Sequence, residues 1–177
     1  MVSKQLPSRE QALQLLRENR CSPNVIKHCE AVAELALETA ETCQKKGLKV
    51  DLELVEIGAL LHDIGRSKTH SVHHAIVGVE IVKTAGLPKP VISIIKSHVG
   101  GGITTAEAAE LGWPKDTYMP VTLEEKIVSY ADKLIETSER VPLEMTIGKL
   151  RENKLDSAAE RVQKLHDEIS KLIGEGS

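Results

Sequence analysis

Apolar residues recur along this chain at helical spacing, and no stretch sustains the alternation that a strand needs. Ser8 and Gln11 form a capping-box pattern ahead of Leu13, Leu15 and Leu16, which predicts a short first helix. Ser22-Pro23 supplies an N-cap followed by proline, opening a helix expected to reach about Lys46, where Gly47 stops it. Asp51 caps a third helix through Leu54, Val55, Ile57, Leu60 and Leu61, ending near Gly65. A fourth is expected from about Ser71 to Ala85. Pro88 and Pro90 punctuate the start of a fifth, which carries Val91, Ile92, Ile94 and Ile95 and ends before Gly100-Gly101-Gly102. Thr104 with Glu107, and Thr122 with Glu125, repeat the capping box. The first of these helices stops at Gly112, and the second is expected to run to about Arg140. After Pro142 a short helix spans Leu143 to Glu152. A last one starts near Asp156 with Val162, Leu165, Ile169 and Leu172 on one stripe. The pattern predicts an all-α, compact helical bundle.

Composition narrows the class. The 177 residues suit a single domain spanning 1–177, long enough to bury a core. Aromatic residues make up 2% and Phe is absent, so the core must be built from Leu, Ile, Val and Ala. The same scarcity argues against single-stranded nucleic-acid binding, which relies on aromatic platforms. A net charge of −3 calls for no nucleic-acid partner. Cys21, Cys29 and Cys43 show no C-x-x-C spacing and are expected to be reduced structural thiols. No apolar run approaches the roughly 18 residues of a membrane span, and MVSKQLPSRE has no apolar core of a signal peptide. A cytoplasmic protein with no membrane partner is expected; an oligomer is compatible with these features.

The chemistry lies in polar residues set on apolar stripes. His28 shares a face with Val25, Val32, Leu35 and Ala36; His74 with Val77, Gly78 and Ile81; His98 with Val91, Ile94 and Ile95. Asp132 falls with Val128, Ala131 and Ile135. An inward carboxylate needs a cation or a full set of donors. His62-Asp63 closes the apolar third helix, where a helix end lets neighbouring side chains converge. A lone histidine on such a face is ordinarily a satisfied core residue. Six such residues on five helices of one small chain point instead to a shared site. Mixed histidine and carboxylate donors suit divalent Mn, Fe, Co, Ni or Zn, whereas an oxygen-only Mg cage would not need four histidines.

The order His28, His62-Asp63, Asp132 resembles the H…HD…D pattern of the HD superfamily. The string LLHDIGRSK resembles that family's HDIG segment, and IVSYADKLIE resembles the helix that delivers its last Asp. HHAIVGVEIV resembles its H-x-x-x-G helix, with His74 and Gly78 in register. The resemblance runs from about Val25 to Glu136, and the overall look is that of small archaeal or bacterial HDIG proteins. It implies a helical bundle of the HD-domain type, with a core over about 22–140 and helices over 143–173 packing on it. It also implies His28, His62, Asp63 and Asp132 as ligands of one metal. Asp63 would bridge to a second ion held by His74 and His98. Val99 follows His98 where many dinuclear members carry a second histidine, so the resemblance does not extend to a third metal or to the cyclic-dinucleotide branch.

The activity implied is metal-dependent hydrolysis of a small phosphoester, such as a nucleotide. Asp63 would position the nucleophile, and Arg66 and Lys68, with Lys133 a lesser candidate, would offset phosphoryl charge. The segments Gly100–Gly102 and Pro114–Thr122 are expected to wall the substrate. His73 is expected to face solvent, His70 to lie in a loop, and His166 to be structural or exposed. An HD-type di-iron oxygenase and a non-catalytic regulatory module are the rival readings.

Overall fold

A computed structural model describes residues 5–174; residues 1–4 and 175–177, the ends of the 1–177 span, lie outside them. In chain order the helices are α1 (Arg9–Glu18), α2 (Pro23–Lys45), α3 (Leu52–Leu61), α4 (His74–Thr84) and α5 (Lys89–Ser97). They continue with α6 (Thr105–Glu110), α7 (Leu123–Lys133), α8 (Leu143–Glu152) and α9 (Asp156–Ile173). Short 3-10 turns cover Ile64–Ser67 and Val99–Gly101. The caps act as their sequences require. Ser8 and Thr104 form complete capping boxes, and Ser22, Asp51 and Thr122 each accept a backbone N–H of the first turn.

The all-α bundle expected from the spacing is the fold that forms, with one departure. The helix that opens at Thr122 stops at Lys133 and does not reach Arg140. The residues beyond it make a small antiparallel hairpin, β1 (Ile135–Glu136) with β2 (Glu139–Arg140). Thr137 turns the chain at φ 58, the left-handed region that a β-branched residue enters only at a cost. Val141 N–H donates back to the Leu134 carbonyl and closes the base of the hairpin. A continued helix would have satisfied the backbone equally well. The hairpin instead turns the Thr137 carbonyl toward the ring of His28, 2.9 Å away.

α2 packs along α3 and α7, and α5 packs against α3, α4 and α7, so the central core is aliphatic. Leu60, Leu61, Ile64, Ile95, Ile127 and Val128 are fully buried in it. Cutting one such leucine to alanine costs about 2–5 kcal/mol. All three cysteines are buried and free, as expected of structural thiols. α9 packs on α7, and α8 packs on α9, with Leu143, Ile147, Ala159 and Val162 forming their own buried cluster. Among the described residues, no helix is long and apolar enough to cross a membrane.

Candidate metal centre

The third helix ends at Leu61, and His62 continues in helical conformation as its last turn gives way to a 3-10 turn. His62 and Asp63 therefore converge, with Nε2 and Oδ2 3.7 Å apart, in the gap between α2, α4, α5 and α7. The approach of α4 depends on Gly65. A Cβ there would stand 1.8 Å from the His74 carbonyl oxygen and 2.7 Å from the Gly78 nitrogen. Only glycine lets α4 sit on this turn, and that seating carries His74 to Asp63.

All six polar residues picked from the apolar stripes meet in this gap. His28 Nε2 and His62 Nε2 lie 3.0 and 3.3 Å from Asp132 Oδ1. The same two nitrogens are 3.8 and 3.7 Å from Asp63 Oδ2. On the other side, His74 Nε2 and His98 Nε2 are 3.0 and 3.4 Å from Asp63 Oδ1. They are 3.0 Å from each other. Side-chain exposure ranges from 0% for His62 to 15% for His28, so water cannot solvate the whole cluster.

The histidine tautomers follow from the outer bonds. Nδ1 of His62, His74 and His98 donates to the carbonyl three residues earlier, those of Ala59, Ser71 and Ile95, at 2.6 to 2.7 Å. His28 Nδ1 donates to the Thr137 carbonyl. A carbonyl only accepts, so each neutral ring has its proton on Nδ1 and a bare lone pair on Nε2. His74 and His98 then aim two lone pairs at each other across 3.0 Å, an arrangement that repels without a cation between them. His62 Nε2 and Asp63 Oδ1 are buried without a well-formed hydrogen bond. Donors about 2.1 Å from one ion stand roughly 3.0 Å apart at a right angle and about 3.4 Å apart at a tetrahedral one. The separations of 3.0 to 3.4 Å match, while Asp63 Oδ2 stands somewhat wider, at 3.7 and 3.8 Å from His62 and His28; backbone carbonyls orienting ligand imidazoles are the usual outer shell of a metal site. The His/Asp cluster is consistent with metal binding.

A family model described as HD domain matches residues 25–136. The chain belongs to the HD domain family. It is 47% identical over 166 residues to an uncharacterized protein of Methanocaldococcus jannaschii, covering 93% of this chain and 98% of that one. It is 40% identical over 170 residues to a tRNA (cytidine(56)-2'-O)-methyltransferase of Thermoplasma volcanium, covering 96% of this chain and 49% of that protein. The chain thus spans about half the length of the methyltransferase it matches. Among solved structures, the L. monocytogenes phosphodiesterase PgpH HD domain in complex with cyclic-di-AMP superposes with a TM-score of 0.57. That match has 19% identity and covers 93% of this chain and 96% of the other, a likeness of fold.

Around the cluster of this HD domain, charge is tuned by burial and contact. Burial works to raise the Asp63 carboxyl, but the charge of His62 beside it holds it well below the usual carboxylate range. Asp132, likewise opposed by burial, is held low by Lys133, His28 and His62. Burial lowers His98 to about 4, so its imidazole is neutral and available near neutral pH. Burial also disfavours a charged His62, yet Asp63, with Cys29 and Asp132, raises it well above an ordinary histidine. Without metal, His62 therefore carries the proton that a cation would replace.

The remaining candidates divide. Arg66 Nε donates to Asp63 Oδ2 at 2.6 Å, and its side chain lines a cavity of about 360 Å³ that opens on His28 and Asp132. Lys133 Nζ donates to Asp132 Oδ2 at 2.6 Å and lines the same cavity. Lys68 lies outside that lining. The backbone carbonyl of His70 accepts from Arg66. His73 is exposed as expected, and its Nδ1 accepts from the Trp113 indole. His166 is half-buried against Tyr130, a structural place.

The cavity wall differs from the expectation. Neither Gly100–Gly102 nor Pro114–Thr122 contributes to it; the hairpin and α8 do. Sequence reasoning also missed the Thr137 carbonyl. That partner lies 109 residues from His28 along the chain. Nothing local in the sequence could show which distant segment supplies the partner.

Proposed function

We propose that this HD domain is a metal-dependent phosphohydrolase acting on a small phosphoester such as a nucleotide. The observation that carries the reading is the division of the Asp63 carboxylate. One oxygen faces His28 and His62 beside Asp132, and the other faces the opposed His74 and His98 pair. His28, His62, Asp63 and Asp132 would hold one divalent ion, and Asp63, His74 and His98 a second. Such ions supply Lewis-acid activation of water and of a phosphoryl oxygen near neutral pH.

The chain's own groups complete the work. Asp63 orients the attacking water while Arg66 fixes the carboxylate rotamer through its 2.6 Å bond. Lys133 does the same for Asp132. Arg66 lines the cavity, where its guanidinium would meet a phosphoryl group. Lys68, by its position, adds only long-range attraction for an anion. The cyclic-di-AMP held by the L. monocytogenes neighbour favours a nucleotide as the phosphoester class.

The test is elemental analysis of the purified protein, followed by phosphate release from nucleotides and sugar phosphates with added Mn, Co, Ni or Mg. Bound transition metal with metal-dependent turnover supports the reading. Iron-dependent oxygen uptake without phosphate release would replace it with an oxygenase, and bound metal with neither would leave a binding module.

A further inference from the structure

The cavity beside the cluster has one wall that the HD match does not cover. The match ends at residue 136, and α8 begins at Leu143. Thr146, Lys149, Leu150 and Asn153 line the cavity, the first three from α8 and the last from its C-cap. They follow the i, i+3, i+4, i+7 spacing of one helix face, so α8 presents a continuous surface to it. Opposite stand Glu136 and Thr137 of the hairpin, with Arg66 and Lys133 at the cluster end.

Three features of this wall define an occupant. Arg66 and Lys133 are held by the cluster carboxylates, whereas Lys149 pairs with Glu136, and both partners are about half exposed. A surface pair of this kind is worth little against screening, so the ammonium can turn to a phosphate oxygen at small cost. Next, Thr146, Asn153, Thr137 and Glu136 line the cavity together with the aliphatic Leu150 and Ile135; the Thr146 hydroxyl donates to the Lys133 carbonyl and the Asn153 amide to the Lys149 carbonyl, so the oxygens of both remain to accept from an occupant. That is a lining for hydroxyl groups on a carbon ring. None of the chain's Trp or Tyr rings lines the cavity, and His28 and Arg66, which do, are held by Thr137, Asp132 and Asp63, so no ring stands ready to stack a base. Finally, about 360 Å³ sits at the small end of the roughly 300–1,000 Å³ typical of ligand pockets.

We propose that the α8 face is the specificity wall of this site, with Lys149 binding the phosphate and the wall reading the hydroxylated sugar of a sugar phosphate or mononucleotide. The proposal rests on the phosphohydrolase reading for its reaction but not for its binding. The wall is indifferent to the base, so the second nucleotide of a cyclic dinucleotide gains nothing from it.

The test measures binding and turnover separately on the metal-loaded protein. Calorimetry with ribose 5-phosphate is run on wild type, Lys149→Ala, Lys149→Arg, Asn153→Ala and the control Lys164→Ala on the exposed face of α9. Lys149→Ala is expected to weaken binding about tenfold, the scale of one charge-assisted hydrogen bond. Lys149→Arg should recover part of the loss, Asn153→Ala should weaken binding severalfold, and Lys164→Ala should match wild type. Metal content should be unchanged throughout, which separates a wall residue from a ligand. Cyclic-di-AMP should bind wild type more weakly than ribose 5-phosphate. Wild-type affinity in Lys149→Ala, no binding of ribose 5-phosphate to wild type, or tighter binding of cyclic-di-AMP would each overturn the proposal. Binding as expected without any turnover would sink the hydrolase reading alone. Turnover with KM indifferent to Lys149→Ala would sink the wall alone.

Discussion

At the scale of single residues, Asp63 carries the most. Its two oxygens serve opposite halves of the cluster, so a change there cannot be confined to one of them. Asp63→Asn keeps the shape and removes the charge. We expect turnover to fall about a hundredfold or more, with metal content reduced and helical circular dichroism retained. Full turnover in a folded Asp63→Asn variant would remove Asp63 from the mechanism. His98 gives a second prediction, on stability. Burial holds it at about 4 in the fold, while an unfolded histidine titrates near 6.5. Between those values the unfolded chain binds the extra proton, so this contribution is complete above about pH 6.5 and is lost as the pH falls toward 4. His62, raised in the fold, acts in the opposite sense, and its contribution fades only as the pH climbs through its elevated value. Asp63 and Asp132, both lowered, contribute fully above the ordinary carboxylate value, and that contribution is lost as the pH falls through it and below. Metal-free wild type should therefore lose on the order of 3 kcal/mol between pH 6.5 and 4 from His98 alone. Urea unfolding of the chelated protein measures this, and His98→Gln should flatten that part of the profile. Equal slopes in the two proteins would refute it.

At the scale of elements, the hairpin and the helices position their histidines by different means. His62, His74 and His98 are oriented by their own helical turns, and that much is implicit in any sequence that places histidine near a helix end. His28 depends on a carbonyl 109 residues away. Inward stripes, caps and the turn glycines were legible because each is written in residues close together in the chain. The end of α7 was not, because Leu134 to Arg140 contains no glycine and no proline, and Thr137 enters the left-handed region without the usual residue type. The α8 wall was illegible for a related reason: its stripe reads as surface until the cavity is known. The hairpin yields a paired prediction. Thr137→Gly accepts φ 58 without strain and should be neutral or stabilising by up to about 1 kcal/mol, with metal binding intact. Thr137→Pro cannot adopt that angle, so the carbonyl leaves His28. Affinity for the ion beside His28 should drop about 10- to 100-fold, the usual effect of losing a ligand's orienting partner, while the ion beside His74 and His98 is kept. Metal titration of both variants checks it, and equal affinities would show that the hairpin does not orient His28.

At the scale of the whole molecule, the cluster joins residues from α2, the end of α3, α4, the end of α5 and α7, so metal binding must couple to global stability. A ligand that binds only the folded state at a hundred times its Kd adds about 2.7 kcal/mol. For a chain of this length that is a rise in Tm of roughly 5–10 °C. The two halves of the cluster can be told apart by the size of that rise. His74 and His98 approach the Oδ1 side of Asp63, so His74→Ala or His98→Ala should remove one ion per chain and a fraction of the thermal gain. His28→Ala should affect the other half. Each truncation also has a cost without metal, but the opposed lone pairs of His74 and His98 make that cost small, since either change relieves a repulsion. The metal-free His74→Ala protein should therefore melt close to metal-free wild type, yet gain less on addition of Mn or Co. If both variants retain the wild-type metal content, the full thermal gain and full turnover at saturating metal, the second ion does not exist. A mononuclear site at His28, His62, Asp63 and Asp132 would then have to account for the activity, and the His74–His98 approach would need a proton in place of a metal.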